Sequence, residues 1–225
     1  MGDRNNMTRA DQIKRELPAA RPAAEVAVPA GGTVFYRAAR SLCAFVARML
    51  FRVTADGREN IPRDRNFILL SNHISAWDSI LLAAACSEWQ IHFLAKESLF
   101  KFAPLRWAML RAGAIRIARG GSNLAAMRSA MQVVRQGRAL GIFPEGHRYR
   151  TGKIERMESG VAMLVMNTSV PLLPAKVSGE YGFRKHIHIR FGAPVELADL
   201  RRLPKDADTI EKIKDRLTGI MANLS

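Results

Sequence analysis

Cysteine is nearly absent. Cys43 and Cys86 are the only two in 225 residues, too few for a disulfide framework or a Cys-based zinc site, so a reducing compartment is expected. Acid is scarce as well: 20 Asp+Glu face 35 Lys+Arg, a formal net charge of +15. That imbalance points to nucleic acid, anionic lipid or phosphorylated substrates and says nothing of the fold. The N-terminal stretch lacks the continuous apolar segment and small-residue cleavage site of a secretory signal. There is no internal repeat. What remains is ordinary: 48% hydrophobic and 24% charged residues exclude disorder for most of the chain, and the length suits one substantial domain better than two.

Residues 1–30 mix Ala, Pro and charges of both signs without an apolar period, and are expected to form a mobile tail. Thr33–Val53 is apolar except at Arg37, Arg40, Arg48 and Arg52. At helical spacing these four arginines fall in one arc of roughly 120°. Each would cost a few kcal/mol at a bilayer centre, so residues 31–55 read as an amphipathic helix lying in the membrane interface rather than a span. The competing reading packs its apolar face on the domain.

Beyond it, 66–71, 91–95, 114–118, 139–143, 172–177 and the alternating 186–191 read as strands. Residues 79–87, 122–136 and 204–221 read as helices. Strand and helix alternation over residues 56–225 predicts a single α/β domain with a mostly parallel central sheet flanked by helices.

Two strand ends carry chemistry. Phe67–Leu70 runs into Ser71-Asn72-His73-Ile74-Ser75-Ala76-Trp77-Asp78 and then a helix, which places His73 and Asp78 where ligand sites of α/β sheets lie. In one continuous helix the two would stand roughly 140° apart, so they meet only across a turn. A carboxylate on one imidazole nitrogen leaves the other free to take a proton from a hydroxyl. The alternative makes Asp78 the N-cap of the following helix. The second cluster, Phe143-Pro144-Glu145-Gly146-His147-Arg148, combines a glycine that permits close backbone approach with an arginine fork suited to phosphate, or is a plain turn. Between the clusters, residues 96–138 hold nine Lys/Arg and one acid, Glu97, a patch that fits an anionic head group or a solvated surface.

Asn72-His73-x4-Asp78 followed by Phe143-Pro144-Glu145-Gly146-x-Arg148 resembles the glycerolipid acyltransferase family, whose members include 1-acylglycerol-3-phosphate acyltransferases. Two further blocks look like the family's in order: Gly113–Arg119, preceded by Ala95–Phe100, and Val170-Pro171-Leu172-Leu173-Pro174. The resemblance covers roughly residues 60–195. It implies direct transfer of an acyl group from a thioester on acyl carrier protein or coenzyme A to a lysophospholipid hydroxyl, first of all that of 1-acylglycerol-3-phosphate, without metal, bound cofactor or acyl-enzyme; glycerol-3-phosphate or another lysolipid is the alternative acceptor, and a non-catalytic binder of anionic lipid or nucleic acid the alternative class. It further implies His73 as general base and Asp78 as its orienter. Arg119, Glu145, Gly146 and Arg148, with Lys96 nearby, would form the acceptor wall. The sequence departs from the pattern at Ala118, where Asp is common, at His147, where Thr or Ser is usual, and at Glu158, where Lys is common.

His186-x-His188 on one strand face is an incomplete metal site, and His92 in an apolar strand is a satisfied core histidine by default. The basic residues show no helix-turn-helix, zinc-finger or aromatic-interleaved pattern, so nucleic acid is not an expected partner. The expected partners are the bilayer, a lysophospholipid and the acyl thioester, with the protein peripheral or monotopic on the cytoplasmic face of a membrane.

Overall fold

Phe67 and Leu69 point to one side of a strand and Ile68 and Leu70 to the other, yet all four are buried. Such a strand must be covered on both faces. The computed structural model, which describes residues 32–117, 123–146, 148 and 157–224, supplies that cover. This strand, β2 (Ile68–Ser71), lies mid-sheet. The others are β1 (Arg52–Asp56), β3 (Ile91–Lys96), β4 (Ile115–Ile117), β5 (Ala139–Ile142), β6 (Leu172–Gly179) and β7 (His186–Phe191), in the order β1-β7-β6-β2-β5-β3-β4. Strands β2 to β6 run parallel; β7 is antiparallel to β6 and carries β1 beside it. The expected α/β architecture is therefore present.

One face of β2, with Leu140 and Ile142, packs under α4 (Asn123–Arg135), α5 (Ser159–Met166) and α7 (Ala207–Ala222). The opposite face, with Leu173, Ile187 and Ile189, is covered by α1 (Val34–Leu50) and α2 (Asp78–Ala85). Burying one such Leu or Ile side chain contributes about 1.5–3 kcal/mol. Two further α-helices among the described residues are α3 (Ala103–Arg111) and α6 (Ala198–Arg201).

The sequence pattern did not reveal β1, because its apolar positions Val53 and Ala55 continue the preceding helix's run. Its pairing with β7 makes it an edge strand, and the expected boundary between 55 and 56 falls inside it. Nor did it reveal α5, whose buried faces leave no 3.6-residue period, or α3, which begins with Pro104 in its first turn.

Helix α1 departs from the expected division into one basic and one apolar face. Its seam on the domain is Tyr36, Arg40, Cys43, Ala47 and Leu50; the Tyr36 hydroxyl accepts from the Ile91 amide at 3.2 Å, and Arg40 donates to the Ser87 carbonyl. The larger apolar residues Leu42, Phe45 and Met49 point away and are 58–65% exposed. The seam includes the small residues Cys43 and Ala47, and α1 lies in contact with α2. One stripe of this helix thus packs on the domain, as the competing reading expects, and another remains bare. Among the described residues no helix is long and apolar enough to cross a membrane.

Candidate active site

Backbone pairing of β2 with β6 ends at Ser71 opposite Ala175. Asn72 prolongs it with its side chain: Nδ2 donates to the Val177 carbonyl at 2.8 Å, and Oδ1 accepts from the Val177 amide at 2.7 Å. With the amide locked against β6, the backbone is released from the sheet and turns, and His73 becomes the first residue of the loop.

That turn closes on Asp78. Its Oδ2 accepts from the Ile74 and Ser75 amides, both at 2.7 Å, and lies 2.8 Å from His73 Nδ1. Its Oδ1 accepts from the Tyr181 hydroxyl at 2.5 Å. Since a carboxylate only accepts, Nδ1 is the donor and the lone pair of His73 sits on Nε2. Asp78 is fully buried, while 15% of the His73 side chain is exposed. The N-cap alternative does not describe this residue: Trp77 occupies the cap position, and the carboxylate reaches back into the loop. Burial, then the charge of Asp78 and the hydrogen bond to it, push the Tyr181 phenol far above its ordinary pKa, so Tyr181 stays a donor.

The imidazole is held on a second side by Phe143 at the end of β5, whose ring stacks on it at 3.9 Å and 13°. The turn after Phe143 buries Glu145 and places Gly146 at φ +65°, where its amide donates to the Phe143 carbonyl at 3.2 Å. A left-handed backbone there favours glycine. Glu158 abuts this turn: its amide donates to the Pro144 carbonyl at 2.8 Å, and its Cγ would lie 3.4 Å from a Cβ on Gly146. Arg148 donates from Nε to His73 Nε2 at 3.2 Å.

The structure therefore brings His73, Asp78 and Arg148 together, with Glu145 and Gly146 in the adjoining turn. Lys96 is exposed at the carboxyl end of β3, on the same sheet edge but two strands from β2. Arg119, Ala118, His147 and the 1–30 segment lie outside the described residues. Tyr181 was not legible as a site residue: it stands 103 positions from Asp78, outside every motif.

His92 is the satisfied core histidine expected of it, bonded to the Gly113 carbonyl at 2.8 Å; burial lowers its pKa. His188 pairs with Asp56 at 2.7 Å, and among the described residues no three His, Cys, Asp or Glu side chains are grouped to hold a metal.

A family model described as Acyltransferase matches residues 52–178. The 1-acyl-sn-glycerol-3-phosphate acyltransferase of Streptococcus pneumoniae is 25% identical over 198 residues, covering 83% of this chain and 72% of its own. That of Borreliella burgdorferi is 32% identical over 136 residues, 59% of this chain and 53% of its own, and that of Bacillus subtilis 27% over 152 residues, 65% and 75%. In fold, the chain is similar to the crystal structure of the 1-acyl-sn-glycerophosphate (LPA) acyltransferase from Thermotoga maritima. The TM-score is 0.63 at 24% identity, with coverage of 83% of this chain and 79% of that one.

Proposed function

The chain belongs to the acyltransferase family, and from that premise we propose that it acylates the free hydroxyl of 1-acylglycerol-3-phosphate at a membrane surface, giving phosphatidic acid. The acyl group comes from a thioester of acyl carrier protein or coenzyme A, with no metal or bound cofactor taking part. The observation that carries this reading is the His73–Asp78 pair, whose fully buried carboxylate is fixed by two backbone amides and Tyr181 while the imidazole stays partly exposed.

In the reaction, the acceptor hydroxyl gives its proton to His73 Nε2 as its oxygen bonds to the thioester carbonyl carbon. The carbon–sulfur bond then breaks, and the thiolate takes the proton from the imidazolium. Asp78 stabilises the imidazolium between these steps. Nε2 accepts from Arg148 in this structure, so the hydroxyl must displace Arg148 from that lone pair. An acceptor phosphate drawing the guanidinium to itself does this and sets the hydroxyl beside the base. The reading is tested with purified protein, labelled acyl thioesters and a panel of lysolipids in vesicles, products being read by mass spectrometry. Transfer to lysophosphatidate is expected; transfer only to a lysolipid with another head group would move the acceptor assignment, and no transfer to any would overturn the reading.

Arg148→Lys keeps the charge and removes the planar fork. It should raise the KM for lysophosphatidate roughly 10-fold, the size of one charge-assisted hydrogen bond. An unchanged KM in acceptor titrations would show that Arg148 does not hold the phosphate.

For the membrane, we propose that α1 lies in the interface on its bare stripe, on the cytoplasmic leaflet. Val34 and Leu42 are 82% and 65% exposed, so Val34→Glu with Leu42→Glu leaves the packed seam intact. This pair should cut pelleting with anionic vesicles at least about 10-fold through lost apolar burial and added negative charge. Undiminished pelleting would remove the surface-helix reading.

A further inference from the structure

The β6–β7 connection is clamped to the end of α1. Arg184, at φ 59° the non-glycine residue with a left-handed backbone among those described, donates its amide to the Leu50 carbonyl at 2.6 Å. A non-glycine residue held there carries local strain, which persists where the surroundings over-determine it. The clamp holds Phe183 out of the domain, 80% exposed.

Between this turn and the bare side of α1 runs an open groove of about 530 Å³, lined by Phe45, Arg48, Met49, Phe183 and Arg184. That lies inside the range of ligand clefts, roughly 300–1,000 Å³. Its lining is three large apolar side chains and two guanidinium groups. The acid of this turn, Glu180, is engaged by Lys185 at 3.3 Å. Helix α1 contributes no acid at all. An occupant must therefore offer an apolar body and an anion together. Soluble phosphates lack the first and uncharged lipids the second.

We infer that this groove binds one anionic phospholipid of the bilayer, its phosphate against Arg48 and Arg184 and its acyl chains along Phe45, Met49 and Phe183. The inference rests on the reading of α1 as a surface helix and adds a defined lipid site to it. The same connection carries Tyr181, whose ring packs edge-on to Phe51 at 5.2 Å and whose hydroxyl meets Asp78. A lipid seated in the groove thus holds the catalytic turn at the bilayer, where a lysolipid acceptor resides.

The test is native mass spectrometry of the full chain in neutral micelles with dioleoyl phosphatidylglycerol. One retained lipid per chain is expected. Arg48→Gln with Arg184→Gly should lower retention at least 10-fold; glycine also relieves the left-handed backbone, so the turn survives. Lys212→Gln with Arg216→Gln on α7, which covers the opposite face of the sheet, removes the same charge and should retain the lipid. Dioleoyl phosphatidylcholine should not be retained, and glycerol 3-phosphate should not displace the bound lipid. The inference is overturned if the groove variant retains lipid like wild type, if the α7 control loses as much, if phosphatidylcholine is held equally, or if glycerol 3-phosphate displaces the lipid. Vesicle pelleting separates the two readings. Wild type that pellets while the groove variant keeps its lipid overturns the groove alone, whereas wild type that does not pellet overturns the surface helix and the groove with it.

Discussion

His73→Ala should leave a folded protein whose transfer rate falls to the assay background. A lipid hydroxyl is a weak nucleophile at neutral pH, and a positioned base contributes about 10²–10⁴-fold to its attack. The His73 imidazole is held by Asp78 on Nδ1 and by Phe143 on its face. The fold should survive because Asp78 keeps three of its donors, the Ile74 and Ser75 amides and the Tyr181 hydroxyl. Arg148, losing a partner at an exposed position, meets water instead. Single-turnover rates beside a circular-dichroism melt would check both halves. A well-folded variant within about 10-fold of wild type would remove His73 as the base, and the mechanism with it.

Asp78→Asn should cost roughly a thousandfold in kcat, within the span measured for general-base catalysis, with little change in the acceptor KM. The amide can enter the site in one orientation. Three donors converge on Oδ2, namely Ile74 N, Ser75 N and His73 Nδ1, so the amide oxygen must stand there and the NH2 must face Tyr181. Tyr181 then turns from donor to acceptor, which its hydroxyl permits. Geometry and neutral tautomer are thereby kept. What disappears is the negative charge that stabilises the imidazolium between proton uptake and thiolate departure. A residue acting only as a helix cap would forecast near silence, since Asn caps about as well as Asp. Turnover within a few-fold of wild type would therefore sink the His–Asp pair.

Much of this site was legible because its main pair is local. His73 and Asp78 are five apart, and the strand and helix patterns around them already demanded the turn that lets them meet. Phe143 to Arg148 was legible as a second strand-end cluster, but that Arg148 would lie on His73 Nε2 was not, because the two stand 75 positions apart with three strands between them in the chain. Tyr181 gave no signal, as nothing near Glu180-Tyr181-Gly182 distinguishes it from an ordinary loop.

The amino-acid order alone determined the elements with a clear period or a continuous apolar run, the α/β class, the meeting of His73 with Asp78 and the basic character. These rest on interactions within a few residues or on composition, which the chain carries wherever it folds. Tertiary structure decided which surface of α1 is used and which is left bare, since the packed seam is anchored by Tyr36 to the Ile91 amide and by Arg40 to the Ser87 carbonyl, partners that no local period reveals. It made Arg52–Asp56 a strand, because β7 offered that segment an unpaired edge. It also brought Tyr181 to Asp78, a contact set by the return of β6 beside β2 and so by long-range pairing that no local pattern encodes.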